Sequence, residues 1–226
     1  MKGQTHPQFL FDNRSETYDA WFSTPLGRLV FETEAALIQE LLEPRSGENI
    51  FDGGCGTGIF TLEFLKHGAR VIGLDVSYPM LARACLKTSG RPFQAIQGNM
   101  LALPFQNNYF DKSVSVTAIE FIADARTAVE ELFRVTRPGG TVVVATLNSL
   151  SPWATRRKAK KEDHVLTDAF FRSPAELLAL NGRKGSVKTV VHFKKDDDID
   201  LARQIENAGQ QGQCETGAFI AAKWTK

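Results

Sequence analysis

Asn49-Ile50-Phe51-Asp52-Gly53-Gly54-Cys55-Gly56-Thr57-Gly58 reads as a short buried strand running straight into a glycine loop, with helical sequence from Ile59 to Lys66 behind it. Glycines at 54, 56 and 58 remove side chains that would hold a ligand away from the backbone. They also allow the positive φ that a sharp strand-to-helix turn commonly needs. Asp52, at the carboxyl end of the strand, is expected to point its carboxylate into the same crevice. Such a site suits a nucleotide-like cofactor with a positive charge better than one with a pyrophosphate. The spacing narrows the choice further. A dinucleotide fingerprint needs G-x-G-x-x-G, yet the third glycine would fall at Ile59 or Thr61. A P-loop needs Gly-Lys-Ser/Thr, and no lysine occurs between the strand and Lys66.

The remaining pattern, Asp-x-Gly-x-Gly-x-Gly, resembles motif I of class I S-adenosylmethionine-dependent methyltransferases. The resemblance implies that the loop, with Asp52, Gly54, Cys55, Gly56, Thr57 and Gly58, wraps the methionine part of the cofactor. Cys55 reads as small filler rather than a nucleophile. Asp75 closes the strand Arg70-Val71-Ile72-Gly73-Leu74-Asp75, where an acid accepts hydrogen bonds from both ribose hydroxyls of an adenosine. Val76, Ser77 and Met80 follow it; Met80 fits the adenine face or plain core equally well. Gly98-Asn99-Met100-Leu101-Ala102-Leu103-Pro104-Phe105 resembles the family's Gly-Asp-x-x-x-Leu-Pro-Phe segment, whose acid contacts the adenine amino group. Asn99 departs from it, offering an amide oxygen and NH2, with Met100 and Leu101 beside it.

The end of the fourth strand, Ser115-Val116-Thr117-Ala118-Ile119-Glu120-Phe121, lies in that family between cofactor and acceptor. Thr117 would back the cofactor. Glu120 is either a general base, useful where the acceptor must lose a proton, or a solvated or capping carboxylate. The aromatic Tyr18-Asp19-Ala20-Trp21-Phe22 matches the helical lid of many small-molecule members. Tyr18 is expected near the cofactor, and at least one of Trp21 and Phe22 in the core.

Around these motifs, strands are expected at Asn49–Asp52, Arg70–Asp75, Pro92–Ile96, Phe110–Val116, Thr141–Leu147, Val187–Phe193 and Ala218–Trp224, alternating with helices. Ser77 is a cap for the helix Ser77–Leu86, and Ser173-Pro174-Ala175-Glu176 carries the signature of a capping box. The alternation argues for α/β, and the resemblance implies a Rossmann-like, seven-stranded, mostly parallel sheet with its last strand antiparallel and helices on both faces. Residues 1–45 read as a helical lid segment and 46–226 as the methyltransferase domain, with a pocket-forming insertion at about 149–172. The acceptor pocket is expected from residues 10–30 and 149–185.

The 226 residues suit one large domain, and a hydrophobic content of 42% supplies a core. A net charge of +1 argues against nucleic acid or an anionic membrane as partner. Arg156-Arg157-Lys158-Ala159-Lys160-Lys161 is the one basic cluster, read as a solvated face or an anion contact; Asp196-Asp197-Asp198 opposes it in sign. Three scattered cysteines form no disulfide framework, and His6, His67, His164 and His192 lack metal-ligand spacing. With no signal peptide or membrane-length apolar run, the default location is cytoplasmic, as monomer or homodimer. The resulting expectation is transfer of a methyl group from S-adenosylmethionine to a small molecule at O, N, C or S, leaving S-adenosylhomocysteine. An RNA or protein methylase and a non-catalytic cofactor-binding regulator are the alternatives.

Overall fold

Strands β1 (Asn49–Gly53), β2 (Arg70–Asp75), β3 (Phe93–Gln97), β4 (Phe110–Val116), β5 (Thr136–Leu147), β6 (Ser186–Val190) and β7 (Phe219–Thr225) join in the order β3-β2-β1-β4-β5-β7-β6. The first five strands pair in parallel, and β7 runs antiparallel to both β5 and β6. A computed structural model of the chain describes residues 11–12, 15–159, 166 and 169–226. His6, His164, Lys160 and Lys161 lie outside the described residues. The strand order reverses between β1 and β4, which opens a crevice at their carboxyl ends.

Alternation along each strand sends side chains into two cores. Ile50, Val71, Val114, Val143, Ala145 and Phe219 share one with α2 (Pro25–Leu42) and α3 (Thr61–Lys66). Phe51, Val142, Val144, Ile220 and Trp224 share the other with α5 (Ala125–Val135). In α5, Ala125, Ala128, Val129, Leu132 and Phe133 recur at helical spacing on one buried face. Asp124 caps that helix by accepting from Thr127 N at 3.1 Å.

Local chemistry sets the element ends. Thr24 caps α2, accepting from Gly27 N at 3.0 Å, and Pro25 starts the helix. Glu43 then turns left-handed at a φ of 50°, and Pro44 prevents continuation. Ser77 caps α4 (Tyr78–Lys87), and Ser173 with Glu176 forms a reciprocal capping box on α7 (Pro174–Leu178). Two strand boundaries differ from the sequence reading by more than one residue. β5 starts at Thr136, since Thr136 pairs with Phe110 and the Pro138-Gly139-Gly140 segment absorbs the slip before Lys112 meets Thr141. β6 stops at Val190, because Val191 adopts a φ of 66°, incompatible with a continuing strand.

The remaining helices are α1 (Ser15–Phe22), α6 (Pro152–Ala159) and α8 (Ile199–Gln211). Among the described residues no helix is long and apolar enough to cross a membrane.

Candidate active site

A cavity of about 1040 Å³ lies in the crevice, at the upper end of the size range of ligand pockets. Gly54, Cys55 and Gly56 line it together with residues of α1, the loop after β4 and α6. The loop is fastened to the end of β2: Gly54 N and Cys55 N both donate to Leu74 O, at 2.7 and 3.1 Å. Its glycines are not equivalent. A methyl on Gly54 would lie 2.3 Å from Ala118 Cβ, so this glycine permits contact with the β4 loop. Gly56 faces open space with φ at 53°, which leaves bare backbone on the cavity wall. Gly58, at φ 75°, is pressed against Ala84 of α4 and does not line the cavity.

Asp75 reaches the cavity wall with its carboxylate already oriented. Gly56 N donates to Oδ2 and Ser77 N to Oδ1, each at 2.9 Å. Burial raises its pKa above the ordinary carboxylate range, opposed by the NH groups of Ser77, Gly56 and Val76. Hydroxyl donors from a sugar would find unused lone pairs there.

Asp52 does not point into the crevice, contrary to the sequence expectation. Strand alternation puts it on the Ile50 face, under α3, where Thr61 Oγ1 donates to Oδ2 at 2.6 Å. Burial pushes its pKa up to about 7, and the neighbouring Asp75 adds to the rise.

Thr57 and Ser77 are likewise buried behind the wall rather than on it. Thr57 donates to Asp19 of α1 at 2.7 Å and accepts from Lys87 of α4 at 3.0 Å; Lys87 also pairs with Asp19 at 2.9 Å. Ser77 donates to Asp12 at 2.6 Å. These two residues tie the amino-terminal segment to the glycine loop and α4.

Val76, Met80, Asn99, Met100 and Leu101 line the same half of the cavity. Met100 also accepts from Ser115 Oγ through its sulfur at 3.9 Å. Asn99 Oδ1 accepts from Leu101 N at 2.9 Å, so the amide presents its NH2 as the uncommitted group.

Thr117, in the other half, holds a φ of 48°, an uncommon conformation for a β-branched residue. Its NH donates to Ala145 O at 3.0 Å and fixes that geometry. Tyr18 stands nearby; burial raises its pKa, with the Thr117 side chain opposing. Trp21 and Phe22 both line the cavity and neither is fully buried, which corrects the expectation of core packing for one of them. The short α1 thus contributes Tyr18, Trp21 and Phe22 to the cavity lining.

Glu120 is neither solvated nor a helix cap. It is fully buried, Thr146 Oγ1 donates to Oε2 at 3.0 Å, and Oε1 has no partner. Burial pushes its pKa up to about 7, opposed in part by Arg172 and Arg157. A second buried acid, Glu34, faces the same cavity from α2, and sequence reasoning passed over it. It is raised to about 8 by burial and then by the charge of Glu120. A signal was present: Glu34 sits four residues from both Val30 and Ile38, inside the apolar stripe of α2.

The basic cluster also proves divided. Arg156 pairs with Asp196, and Arg157 turns to the cavity with its guanidinium 5.1 Å from the Phe171 ring. Lys195 lines the cavity too, 4.9 Å above Trp153. No group of His, Cys, Asp and Glu side chains among the described residues has the arrangement of a metal site.

Residues 51–144 match the methyltransferase domain family of type 11. A malonyl-[acyl-carrier protein] O-methyltransferase of Erwinia billingiae is 37% identical over 105 residues, 46% of this chain and 41% of that one. The chain thus spans less than half the length of this curated relative. An S-adenosylmethionine-dependent methyltransferase from Thermotoga maritima superposes with a TM-score of 0.76 at 22% identity, covering 98% of this chain and all of that one. A Haemonchus contortus phosphoethanolamine N-methyltransferase in complex with S-adenosyl-L-methionine superposes with a TM-score of 0.71 at 16% identity, covering 100% and 61%. The cofactor that goes with this family is S-adenosylmethionine, and the open backbone at Gly56 beside the oriented Asp75 fits its adenosine. Motif, sheet order and family match agree that residues 51–144 form a methyltransferase domain, set in a sheet with the class I S-adenosylmethionine-dependent methyltransferase fold.

Proposed function

We propose that this chain moves a methyl group from S-adenosylmethionine to a small-molecule acceptor by in-line displacement. One observation carries the reading: a single cavity joins the glycine loop and Asp75 to a second half walled by Val30, Phe60, Leu147, Trp153 and Val191. When bound, the cofactor supplies an activated methyl carbon together with its leaving group. The chain has to hold the acceptor in line behind that carbon and keep water out. Asp75 accepts from the ribose hydroxyls. Val76, Met80 and Leu101 border the adenine, and Asn99 donates its NH2 to a ring nitrogen instead of accepting from the amino group. Gly54, Cys55 and Gly56 give the methionine part bare backbone, and Thr117 backs it. Asp52, Thr57, Gly58 and Ser77 act one layer out, shaping the loop. Tyr18, Trp21 and Phe22 form the lid of an amino-terminal segment over residues 46–226.

The acceptors named for matched relatives, malonyl-[acyl-carrier protein] and demethylmenaquinone, support an organic acceptor as a class. Net charge near neutrality, with Arg156 neutralised by Asp196, offers little to nucleic acid. The test is transfer of a labelled methyl group from S-adenosylmethionine to a panel of small amines, alcohols, thiols and acids, with bulk RNA alongside. Label is expected in small acceptors. Label in RNA, or in no acceptor despite cofactor binding, overturns the proposal.

A further inference from the structure

We infer that the acceptor carries a basic nitrogen, bound as its ammonium ion between Glu34 and Glu120. The inference rests on the methyltransferase reading of the cavity and narrows its substrate class.

Two acids facing one apolar cavity are an unfavourable arrangement unless something cationic lies between them. Glu120 is wholly buried, and its Oε1 has no hydrogen-bond partner. Glu34 is 7% exposed and has no hydrogen bond or ion pair among the described residues. Each raises the free energy of ionising the other, and Tyr18 adds to neither charge in its neutral form. Buried polar groups without partners are rare, and one aimed into a cavity points to a ligand.

The two described arginines that act on Glu120 do not fill that role. Arg157 and Arg172 act on Glu120 only at longer range, with no ion pair to it within 4.0 Å among the described residues. Arg157 is held over Phe171, and Arg172 donates to the Phe170 and Ile119 carbonyls at 3.0 and 3.3 Å.

An ammonium ion supplies what is missing: up to three donors and one positive charge for two carboxylates. Tyr18, Phe22 and Phe60 line the same cavity, and aromatic rings favour a cation as well. An anionic acceptor would instead bring a like charge to two groups that already resist ionisation. Before attack, the ammonium must give one proton to a carboxylate oxygen: an N–H bond breaks, an O–H bond forms, and the electron pair stays on nitrogen. A carboxyl that titrates near neutrality is suited to receive it.

The cofactor is itself a cation, which gives the acids a competing partner; calorimetry separates the two. The wild type saturated with S-adenosylhomocysteine is titrated with 2-phenylethylamine, 2-phenylethanol and 3-phenylpropionate, and with hexylamine as a second skeleton. At least one amine is expected to bind tenfold or more tightly than the alcohol, and the acid more weakly still. Glu34→Gln and Glu120→Gln should each weaken the amine tenfold or more, while affinity for S-adenosylmethionine and S-adenosylhomocysteine stays within threefold. The wild-type ranking needs no variant to fold. Equal or tighter binding of the alcohol or acid, binding of neither amine, or amine affinity unmoved by both substitutions overturns the inference. So does a tenfold loss of affinity for either adenosyl ligand in the variants, which assigns the acids to the cofactor. If the wild type binds neither adenosyl ligand, the methyltransferase reading falls, and this inference with it.

Discussion

Replacing Glu34 by glutamine keeps the shape of the side chain and removes its titration. In the folded chain the carboxyl is raised from an ordinary 4.5 to about 8, first by burial and then by Glu120. The folded state therefore holds the proton more tightly than the unfolded one. Between these two values the unfolded chain binds fewer protons, so stability is greatest below pH 4.5 and falls as pH rises towards 8. Each pH unit in the window is worth about 1.4 kcal/mol, which makes the loss from pH 5 to pH 8 about 3 to 4 kcal/mol. That is a large share of the roughly 5 to 15 kcal/mol typical of a folded domain. Urea unfolding followed by tryptophan fluorescence at pH 5, 6, 7 and 8 measures it. Subtracting the wild-type curve from that of Glu34→Gln cancels Asp52, common to both chains. A constant cost of burying the amide shifts the difference without tilting it. The variant should gain on the wild type by about 3 to 4 kcal/mol across the series. Parallel curves would refute the argument, because Glu34 would then titrate alike in both states.

Gly54→Ala places a methyl 2.3 Å from Ala118 Cβ at a φ of 74°, and left-handed backbone alone costs about 1 to 2 kcal/mol. With the overlap, calorimetry should record a melting temperature lower by about 4 to 8 °C; an unchanged value contradicts the close approach of the two loops. Asp19→Ala removes the partner of Thr57 and Lys87 that fastens α1 to the glycine loop. Stability should change by less than about 1 kcal/mol, since the pair is partly exposed, while S-adenosylhomocysteine dissociates several-fold faster in stopped-flow displacement. An unaltered dissociation rate rules out α1 as the lid.

The placement of the glycine loop, Asp75 and Asn99 around one cavity was legible because its determinants are local. The glycine spacing, Asp75 one helix and one strand later, and Asn99 after β3 each sit at the carboxyl end of a strand, and β2 and β4 keep the bounds expected of them. Asp52 was misplaced because motif position gives proximity, whereas strand alternation decides which face a side chain takes. The rest of the cavity lining was less legible, since it is assembled from distant segments. Residues 10–30 and 149–185 do contribute Tyr18, Val30, Trp153 and Arg157, but Glu34, Val191, Lys195 and Ala218 complete the wall. Glu34 reads as one of several surface glutamates until its place in the α2 stripe is noticed. Glu120 could be seen near the chemistry, yet its burial depends on Thr146 and on the segment whose Phe170 NH caps its carbonyl at 2.7 Å.

The central claim is that the crevice beside Gly56 and Asp75 binds an adenosyl sulfonium cofactor. Its most direct test is calorimetric titration of S-adenosylmethionine, S-adenosylhomocysteine and NAD into the wild type and into Asp75→Ala. Both adenosyl ligands should bind the wild type and NAD should not. Two hydrogen bonds to a charged group, each worth about 1.5 to 3 kcal/mol, imply a loss of roughly a hundredfold or more in Asp75→Ala. Tighter binding of NAD, or binding of neither adenosyl ligand, would contradict the account.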